Sequence, residues 1–442
     1  MKVCKFGGTS MANSACIKRV ADIVLSDKTI GYVVVSAPGK REKNDTKVTD
    51  LLYACLDKVR YGANPSDAFW PIRERFENIV RELGIDLDLT EDYEEIVSAL
   101  KNGTTKDFIA SRGEYFSAKI LAKYIGWTFI DAKDLVRFDE KGNFLSGETN
   151  AYARGRLLNV KNIVIPGFYG STSTGEIKTF SRGGSDITGA IVARATYSTM
   201  YENWTDVDGF MKCDPRLVEN PEIMDVITYK ELRELSYMGA NVLHPDSIFP
   251  VRKHDIPIHI RNTFNPSAKG TLIVPTKKLF SGVYERADSV VTGIAGKRDF
   301  IAINIEKSMM NNELGFMRKV LEVIERNGLC VEHIPSGIDT LSVIIDSNDQ
   351  NEERIDHIVE SVREICHPDV IEIDRNLALI AVVGHGMLRK KGTATKVCSA
   401  LAQANINIRM LVQGSSELNV IVGVENKDYE SAIIALYKEF LD

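Results

Sequence analysis

The sequence predicts an α/β chain in two parts: a parallel sheet with crossover helices over residues 1–285, then a duplicated α+β module. Three observations predict it. Short apolar runs that end in glycine alternate with apolar residues at helical spacing. Several of those runs are followed by glycine-bearing turns, as at the carboxyl ends of parallel strands. The last third of the chain repeats itself 77 positions on.

The parallel part opens with Val3–Phe6, a short buried-type strand broken by Gly7-Gly8. Ile17, Val20, Ala21 and Val24 follow at helical spacing, and Tyr32–Val35 reads as a second strand ending in Ser36-Ala37-Pro38-Gly39. From about Thr49 to Tyr124 the chain is charged and helical, a subdomain on the sheet's edge. Further strands are expected at Thr128–Ile130, Ile163–Ile165, Met200–Trp204 and Ile256–Ile260, with a helix between Ser185 and Thr196.

In the repeat, Gly315 matches Gly392, Lys319 matches Lys396, Val320 matches Val397 and Gly337 matches Gly414. Leu341, Val343 and Ile344 match Leu418, Val420 and Ile421. The first copy reads as strand (301–305), helix, strand (329–334), strand (341–345), helix (352–365) and strand (370–373). The second starts at Leu377 and ends in a helix near Phe440 without a last strand, which would leave a sheet edge short. The unassigned apolar run Val290–Ala295 supplies it. The first module, 299–375, is therefore expected to be inserted within the second, 290–298 and 376–442.

Composition narrows the function. The 442 residues are 44% hydrophobic and 26% charged, with 55 basic and 61 acidic side chains and a formal net charge of −6. This argues against a general nucleic-acid surface, which usually needs a basic stripe. No stretch approaches the ~20 apolar residues that span a bilayer, and the N-terminus lacks a signal-peptide core. The seven cysteines are scattered without CxxC spacing, as expected of reduced thiols in a cytoplasmic protein.

Four stretches carry chemistry. In Lys5-Phe6-Gly7-Gly8-Thr9-Ser10, glycines after a strand let backbone N–H groups approach a phosphate, and Lys5 offers a point charge for a transferring phosphoryl group. The Gly-Gly pair alone is better read as a plain turn. The turn Ser36–Gly39 would meet it at one crevice, because ligands of open α/β sheets sit at the strands' carboxyl ends. Gly39-Lys40 lacks the upstream glycine spacing of a Walker motif. Ser181-Arg182-Gly183-Gly184-Ser185-Asp186 enters a helix: Arg182 can grip a carboxylate in two places, and Gly183-Gly184 at a helix N-terminus makes an anion pocket. Trp204-Thr205-Asp206-Val207-Asp208-Gly209, with Asp214-Pro215-Arg216, offers the hydroxyl, acids and arginine of a nucleotide pocket, or a set of routine turns.

Taken together and in this order, these stretches resemble the aspartate kinase (aspartokinase) family, along essentially the whole chain. The resemblance rests on KFGGTS at 5–10, VSAPG at 35–39, SRGE at 111–114, PGFYG at 166–170, SRGGSD at 181–186, WTDVDGF at 204–210, DPR at 214–216 and LHP at 243–245. It implies an amino-acid kinase fold followed by two ferredoxin-like βαββαβ ACT modules, as in monofunctional, lysine-sensitive members. It also implies ATP and Mg2+ as cofactors and L-aspartate as substrate. Lys5, Gly7, Gly8 and Ser36 would then serve the ATP phosphates, and Thr205, Asp206 and Arg216 the nucleotide. Thr49, Glu114, Phe168, Arg182, Gly183, Gly184, Ser185 and Asp186 would surround aspartate, with Lys5, Arg182 and Asp186 as the catalytic set. Two nucleotide positions depart from the family pattern: Met211 stands in place of a tyrosine, and Asn241 in place of a lysine before Val-Leu-His.

A carboxylate nucleophile is ionised at neutral pH, with an ordinary pKa of about 4, so no general base is needed. His244, followed by Pro245, reads as structural. The difficulty is bringing an anion to a polyphosphate, which Lys5, glycine amides, Arg182 and Mg2+ would offset. Glu114 and Asp186 suit the substrate ammonium. For the tail, the resemblance implies end-product inhibition by L-lysine, with L-threonine as the alternative. Met310 and Glu313 would cover the pocket, Phe316 and Met317 open the helix that receives the effector's carboxylate, and Glu332 takes its ammonium. The matching position in the second module is Arg409. A homodimer or homotetramer through the ACT modules is expected, with neither nucleic acid nor membrane as partner. The competing readings are another amino-acid kinase of the same fold, or an ACT-type sensor with a dead kinase site. Intact Lys5, Arg182 and Asp186 argue against the second.

Overall fold

Lys2–Phe6 (β1) and Ile30–Val35 (β2) are buried along nearly their whole length, and the fold covers both of their faces, the condition under which strands lose polar–apolar alternation. The computed structural model describes residues 1–181, 183–240, 243, 245–286, 289–346, 352–388 and 390–441. The chain forms two units: 1–210 with 223–229 and 243–286, and 211–222 with 230–242 and 287–442.

The first unit adds Thr128–Phe129 (β3), Ile163–Pro166 (β4), the hairpin Tyr169–Ser171 (β5) and Ile177–Thr179 (β6), Met200–Thr205 (β7), Val226–Thr228 (β8), Ile258–Asn262 (β9) and Thr271–Val274 (β10). Eight strands form one sheet in the order β3-β4-β2-β1-β7-β9-β10-β8. Every neighbouring pair is parallel except β9–β10. The chain leaves β1 toward β2 on one side and later returns to β7 on the other. The carboxyl ends of β1 and β7 thus mark a topological switch point, the usual ligand crevice of such sheets. The hairpin, β8 and β10 were not anticipated from the sequence. They are only three or four residues long, too short to show a period.

The charged region resolves into four helices, Val48–Arg60, Pro65–Leu83, Thr90–Lys101 and Lys106–Ile125. Phe69, Phe76, Tyr93 and Phe116 pack among them, with the Phe76 and Phe116 rings 4.9 Å apart. Asn64 caps the second helix by accepting from the Ser66 N–H, and Gly84 ends it at φ 67°, where an L side chain would be strained.

The second unit carries a five-stranded antiparallel sheet of Gly293–Glu306 (β11), Thr340–Asp346 (β12), Val370–Val383 (β13), Met410–Val412 (β14) and Asn419–Glu425 (β15). Their order is β12-β11-β13-β15-β14. The two strands expected at 290–295 and 301–305 are one strand, β11. Its first half pairs with the second half of β13 (Gly293↔Val383), its second half with the first half of β13 (Glu306↔Val370), and a register shift lies between them. The strand expected at 329–334 does not form a ladder. Its pairing with β12 is limited to the isolated bridge His333↔Ile344 and, just beyond it, Ser336↔Leu341. Pro335, between the bridges, has no N–H to give, and proline interrupts ladders.

Two apolar cores fill the unit. Ile303, Val320, Val343, Ile358 and Val362 belong to one, and Ile380, Val397, Val422 and Leu436 to the other. Segments 211–222 and 230–242 join this unit through side chains. Cys213, Leu217 and Val218 pack on the second core, and the fully buried Glu231 accepts from the Thr292 hydroxyl at 2.6 Å and the His385 N–H at 2.8 Å. Among the described residues no helix is long and apolar enough to cross a membrane.

Candidate active site

The carboxyl ends of β4, β2, β1 and β7 lie side by side, and each continues into a polar turn. Lys5 on β1 sits directly beside Asn203 on β7. Asp186, in the first turn of the helix Gly184–Ala195, binds both: Lys5 Nζ lies 2.8 Å from Asp186 Oδ1, and Asn203 Nδ2 donates to the same oxygen at 2.9 Å. Lys5 is only 8% exposed. The sequence reading missed Asn203. The available signal was a polar residue inside the strand Met200–Thr205, which is buried on both faces.

The glycine turns meet here because they have no side chains. The Gly39 N–H donates to the Gly8 carbonyl at 2.8 Å, and a Cβ on Gly39 would lie 2.7 Å from the Gly8 backbone. The Gly7 N–H bonds to the Trp204 carbonyl, and that of Ser36 to the Phe6 carbonyl. A second approach joins β4's turn to the helix entrance: a Cβ on Gly167 would meet Ser185 at 2.6 Å, and one on Gly184 would meet Phe168 at 2.7 Å. Phe168 adopts φ 80°, rare for an aromatic residue, and its N–H donates to Thr188 Oγ1. Gly183 has φ 58°. Ser185 is buried.

A cleft of about 450 Å3 opens between these turns, and Ser36, Thr49, Glu114 and Asp206 are among its lining residues. Exposed Lys40 and Lys47 stand on its rim. Neither had been singled out as a site residue, since an exposed lysine in a turn is the commonest of sequence features. Glu114, on the helix Lys106–Ile125, is 5% exposed, and Oε2 is buried without a hydrogen-bond partner. Burial pushes its pKa up to about 8, against the backbone N–H of Ala37 and the Lys5 and Arg112 charges, which pull it down. Gly113 lets Glu114 reach the cleft, because a Cβ there would collide with the Ala37 methyl. At the other end Asp206 accepts from Thr9 Oγ1 at 3.0 Å and Thr205 Oγ1 at 3.2 Å.

Of the expected residues, Gly8, Ser36, Thr49, Glu114 and Asp206 line the cleft, Lys5 lies next to Gly7 and is bound to Asp186, Phe168, Gly183, Gly184 and Ser185 sit at the start of the helix that carries Asp186, and Thr205 bonds to Asp206. Arg182, Asn241 and His244 lie outside the described residues. Met211 and Arg216 belong to the second unit, where the Arg216 guanidinium is bound to Asp214.

A model of the amino acid kinase family matches residues 1–262, and one of the ACT domain matches residues 380–440. Aspartokinase 3 of Bacillus subtilis is 37% identical over all of this chain and 98% of its own. The chain belongs to the aspartokinase family. The solved aspartate kinase of Clostridium acetobutylicum superposes with a TM-score of 0.90 at 47% identity, both chains being wholly covered. Escherichia coli aspartokinase III, also covered in full, superposes at 0.75 (26% identity) as its complex with aspartate and ADP, and at 0.70 (27%) as its complex with lysine and aspartate. This aspartokinase is an ATP-dependent aspartate kinase under allosteric control, with the α/β kinase fold and ACT tail that its sequence predicts.

The aspartokinase's expected effector residues fall in the first ACT module. Met310 and Phe316 are buried in its core, Met317 is 42% exposed, and Gly315 starts the helix Phe316–Arg326 at φ 75°. Glu313 pairs with Lys307 at 2.5 Å and Lys319 at 2.8 Å, which hold its pKa down at about 2. Glu332 is half-buried and takes the Tyr237 hydroxyl; burial first, and this carboxylate second, push the phenol's pKa up.

Proposed function

We propose that the side-chain carboxylate of free L-aspartate attacks the γ-phosphorus of ATP in the cleft at β1 and β7, giving the aspartyl acyl phosphate and ADP. One observation carries this reading: a buried lysine, aimed by an Asp186 that Asn203 also holds, stands beside two glycine turns whose backbones touch. Lys5 acts on the transferring phosphoryl group, and Gly7, Gly8 and Ser36 serve the phosphates. A fixed cation in a water-poor site offsets charge far better than one in bulk water.

Thr205 and Asp206 serve the nucleotide. Mg2+ comes with ATP; the hard oxygen donors at the cleft mouth, Asp206, Thr9 and Thr205, suit it. Aspartate lies against Thr49, Phe168, Gly183, Gly184 and Ser185, with Arg182 gripping a carboxylate. Its ammonium is taken by Glu114 and by the second oxygen of Asp186, whose first already holds Lys5 and Asn203. The free Glu114 carboxyl is protonated at neutral pH and ionises as the ammonium arrives.

We infer that the effector is L-lysine, with L-threonine the alternative, and that Glu332 takes the side-chain ammonium. The half-buried carboxylate supports this, as does the lysine complex of the E. coli relative. Exposed apolar residues on the first module, Met309, Leu314, Met317 and Ile338, favour cover by a second copy, in a homodimer or homotetramer. Seven free thiols fit work in the reducing cytoplasm. The direct test is ATP-dependent, hydroxylamine-trapped acyl phosphate formation with single amino acids. Aspartate gives strong product and glutamate little; equal rates with both would refute the assigned pocket.

A further inference from the structure

Arg75 is a charged residue with no place in the chemistry above, yet it is 6% exposed. It lies midway along the helix Pro65–Leu83, away from the helix ends where a buried cation would meet orphan carbonyls. Its guanidinium instead collects carbonyls from two separate turns. Nη1 donates to the Thr46 carbonyl at 2.9 Å, and Nη2 donates to the Ala12 carbonyl at 3.3 Å and the Gly39 carbonyl at 2.5 Å. Asp45 Oδ2, 3.5 Å from Nη1, supplies the counter-charge and is itself held by Arg41.

Ala12 closes the turn that begins at Gly8 and Thr9, while Gly39 and Thr46 bracket the turn that carries Lys40 and leads to Lys47. Gly8, Thr9, Gly39, Lys40 and Lys47 all line the cleft. The Gly39 peptide is pinned from both sides, its N–H on the Gly8 carbonyl and its carbonyl on Arg75.

We infer that Arg75 is a positioning residue for phosphoryl transfer: it ties together, from behind, the two backbone turns between which the nucleotide phosphates lie. A planar fork of donors can span three carbonyls at fixed angles, whereas the single ammonium of lysine cannot. The inference rests on the reading that Gly8 and the Ser36–Gly39 turn serve phosphate.

The test uses full-length Arg75→Lys and Arg75→Ala, assayed well below their measured melting temperatures, with Lys5→Ala in parallel. kcat/KM for ATP falls by about 100-fold in Arg75→Ala, the scale of a misplacement near 1 Å. KM for aspartate moves less than about threefold, and Arg75→Lys recovers only a small part of the loss. Guanidinium chloride, at concentrations too low to denature, restores turnover to Arg75→Ala without raising its melting temperature. Either variant, folded and within about threefold of the parent in kcat/KM for ATP, overturns the inference. So does a loss that only tracks the unfolded fraction. Should Arg75→Ala not fold, Arg75→Lys alone decides. Full turnover in Lys5→Ala would remove the phosphate reading itself, whereas loss in Lys5→Ala with none in the Arg75 variants would remove only the role of Arg75.

Discussion

The catalytic cleft and the first ACT module use charge in opposite ways. At the cleft, Lys5 and Glu114 are drawn almost completely out of water, and part of the wall is bare backbone at two glycine turns. In the module the carboxylates stay near solvent, Glu313 already neutralised by two lysines and Glu332 half-buried beside Tyr237, while Met310 and Phe316 are given to the hydrophobic core. The cleft is therefore organised before any ligand arrives, which is what electrostatic catalysis requires. The proposed effector region is built from groups that already have partners, so an effector there must exchange contacts. Perturbing the cleft should change rates by orders of magnitude, and perturbing the module should shift equilibria by modest factors.

The sharpest test is Lys5→Ala, which should lower kcat by about 100-fold or more while aspartate affinity changes little. A mutant with near-normal turnover would erase the contrast.

Next in size is the pH dependence set by Glu114. Its folded pKa is raised from 4.5 to about 8, so between those values the folded protein holds a proton that the unfolded chain has lost. Stability from this group therefore falls as pH rises through that window, the reverse of an ion-paired carboxylate. On the proposed role of Glu114, aspartate binds its ionised form, so the KM for aspartate should drop by up to about tenfold per pH unit until pH 8 and then level off. Glu114→Gln should raise KM and flatten both trends. An unchanged KM–pH profile in that variant would take Glu114 out of the pocket.

Glu332→Ala should raise the midpoint of lysine inhibition by about tenfold, the scale of one charged hydrogen bond, with uninhibited turnover preserved. An unmoved midpoint would exclude Glu332 from the effector site. The smallest effect belongs to the second module. There Arg409, at the position equivalent to Glu332, is bound to Asp374 at 2.7 Å, and Glu425 lies 4.0 Å away. Arg409→Ala should leave the lysine midpoint alone and cost at most about 1 kcal/mol, as exposed pairs do. A large shift there would show that the modules sense together.

Much of this was legible in the sequence, for identifiable reasons. Glycine pairs after apolar runs located the cleft, since a turn where backbones nearly touch admits no side chain, as at Gly8 and Gly39. The fixed offset between Gly315 and Gly392 falls on two helix starts, each glycine capping its helix at positive φ. What stayed hidden depends on neighbours far along the chain. Asn203 looks like any strand polar residue until β7 is laid beside β1. Arg75 sits in a run of charges, Arg73 to Glu77, that reads as a solvated helix face; only the fold turns one of them inward. Segments 211–222 and 230–242 join the second unit through Cys213, Leu217 and Glu231, and sequence order gives no hint of it.

The strands shared by the two halves of the tail have a practical meaning. Where β11 leaves the second module and β13 returns to it, Lys297 faces Leu379 and Phe300 faces Leu377. The whole first module thus occupies the place of a β-turn, at the tip of what would otherwise be an ordinary hairpin. Hairpin tips are where chains accept insertions most readily. An insertion there has a rigid mount, held by two paired strands in place of a flexible tether. The same geometry marks a clean excision point: closing residue 297 onto 379 with a two-residue Asn-Gly turn restores a plain hairpin. That should leave a kinase with one module and none of the apolar surface that the inserted one carries.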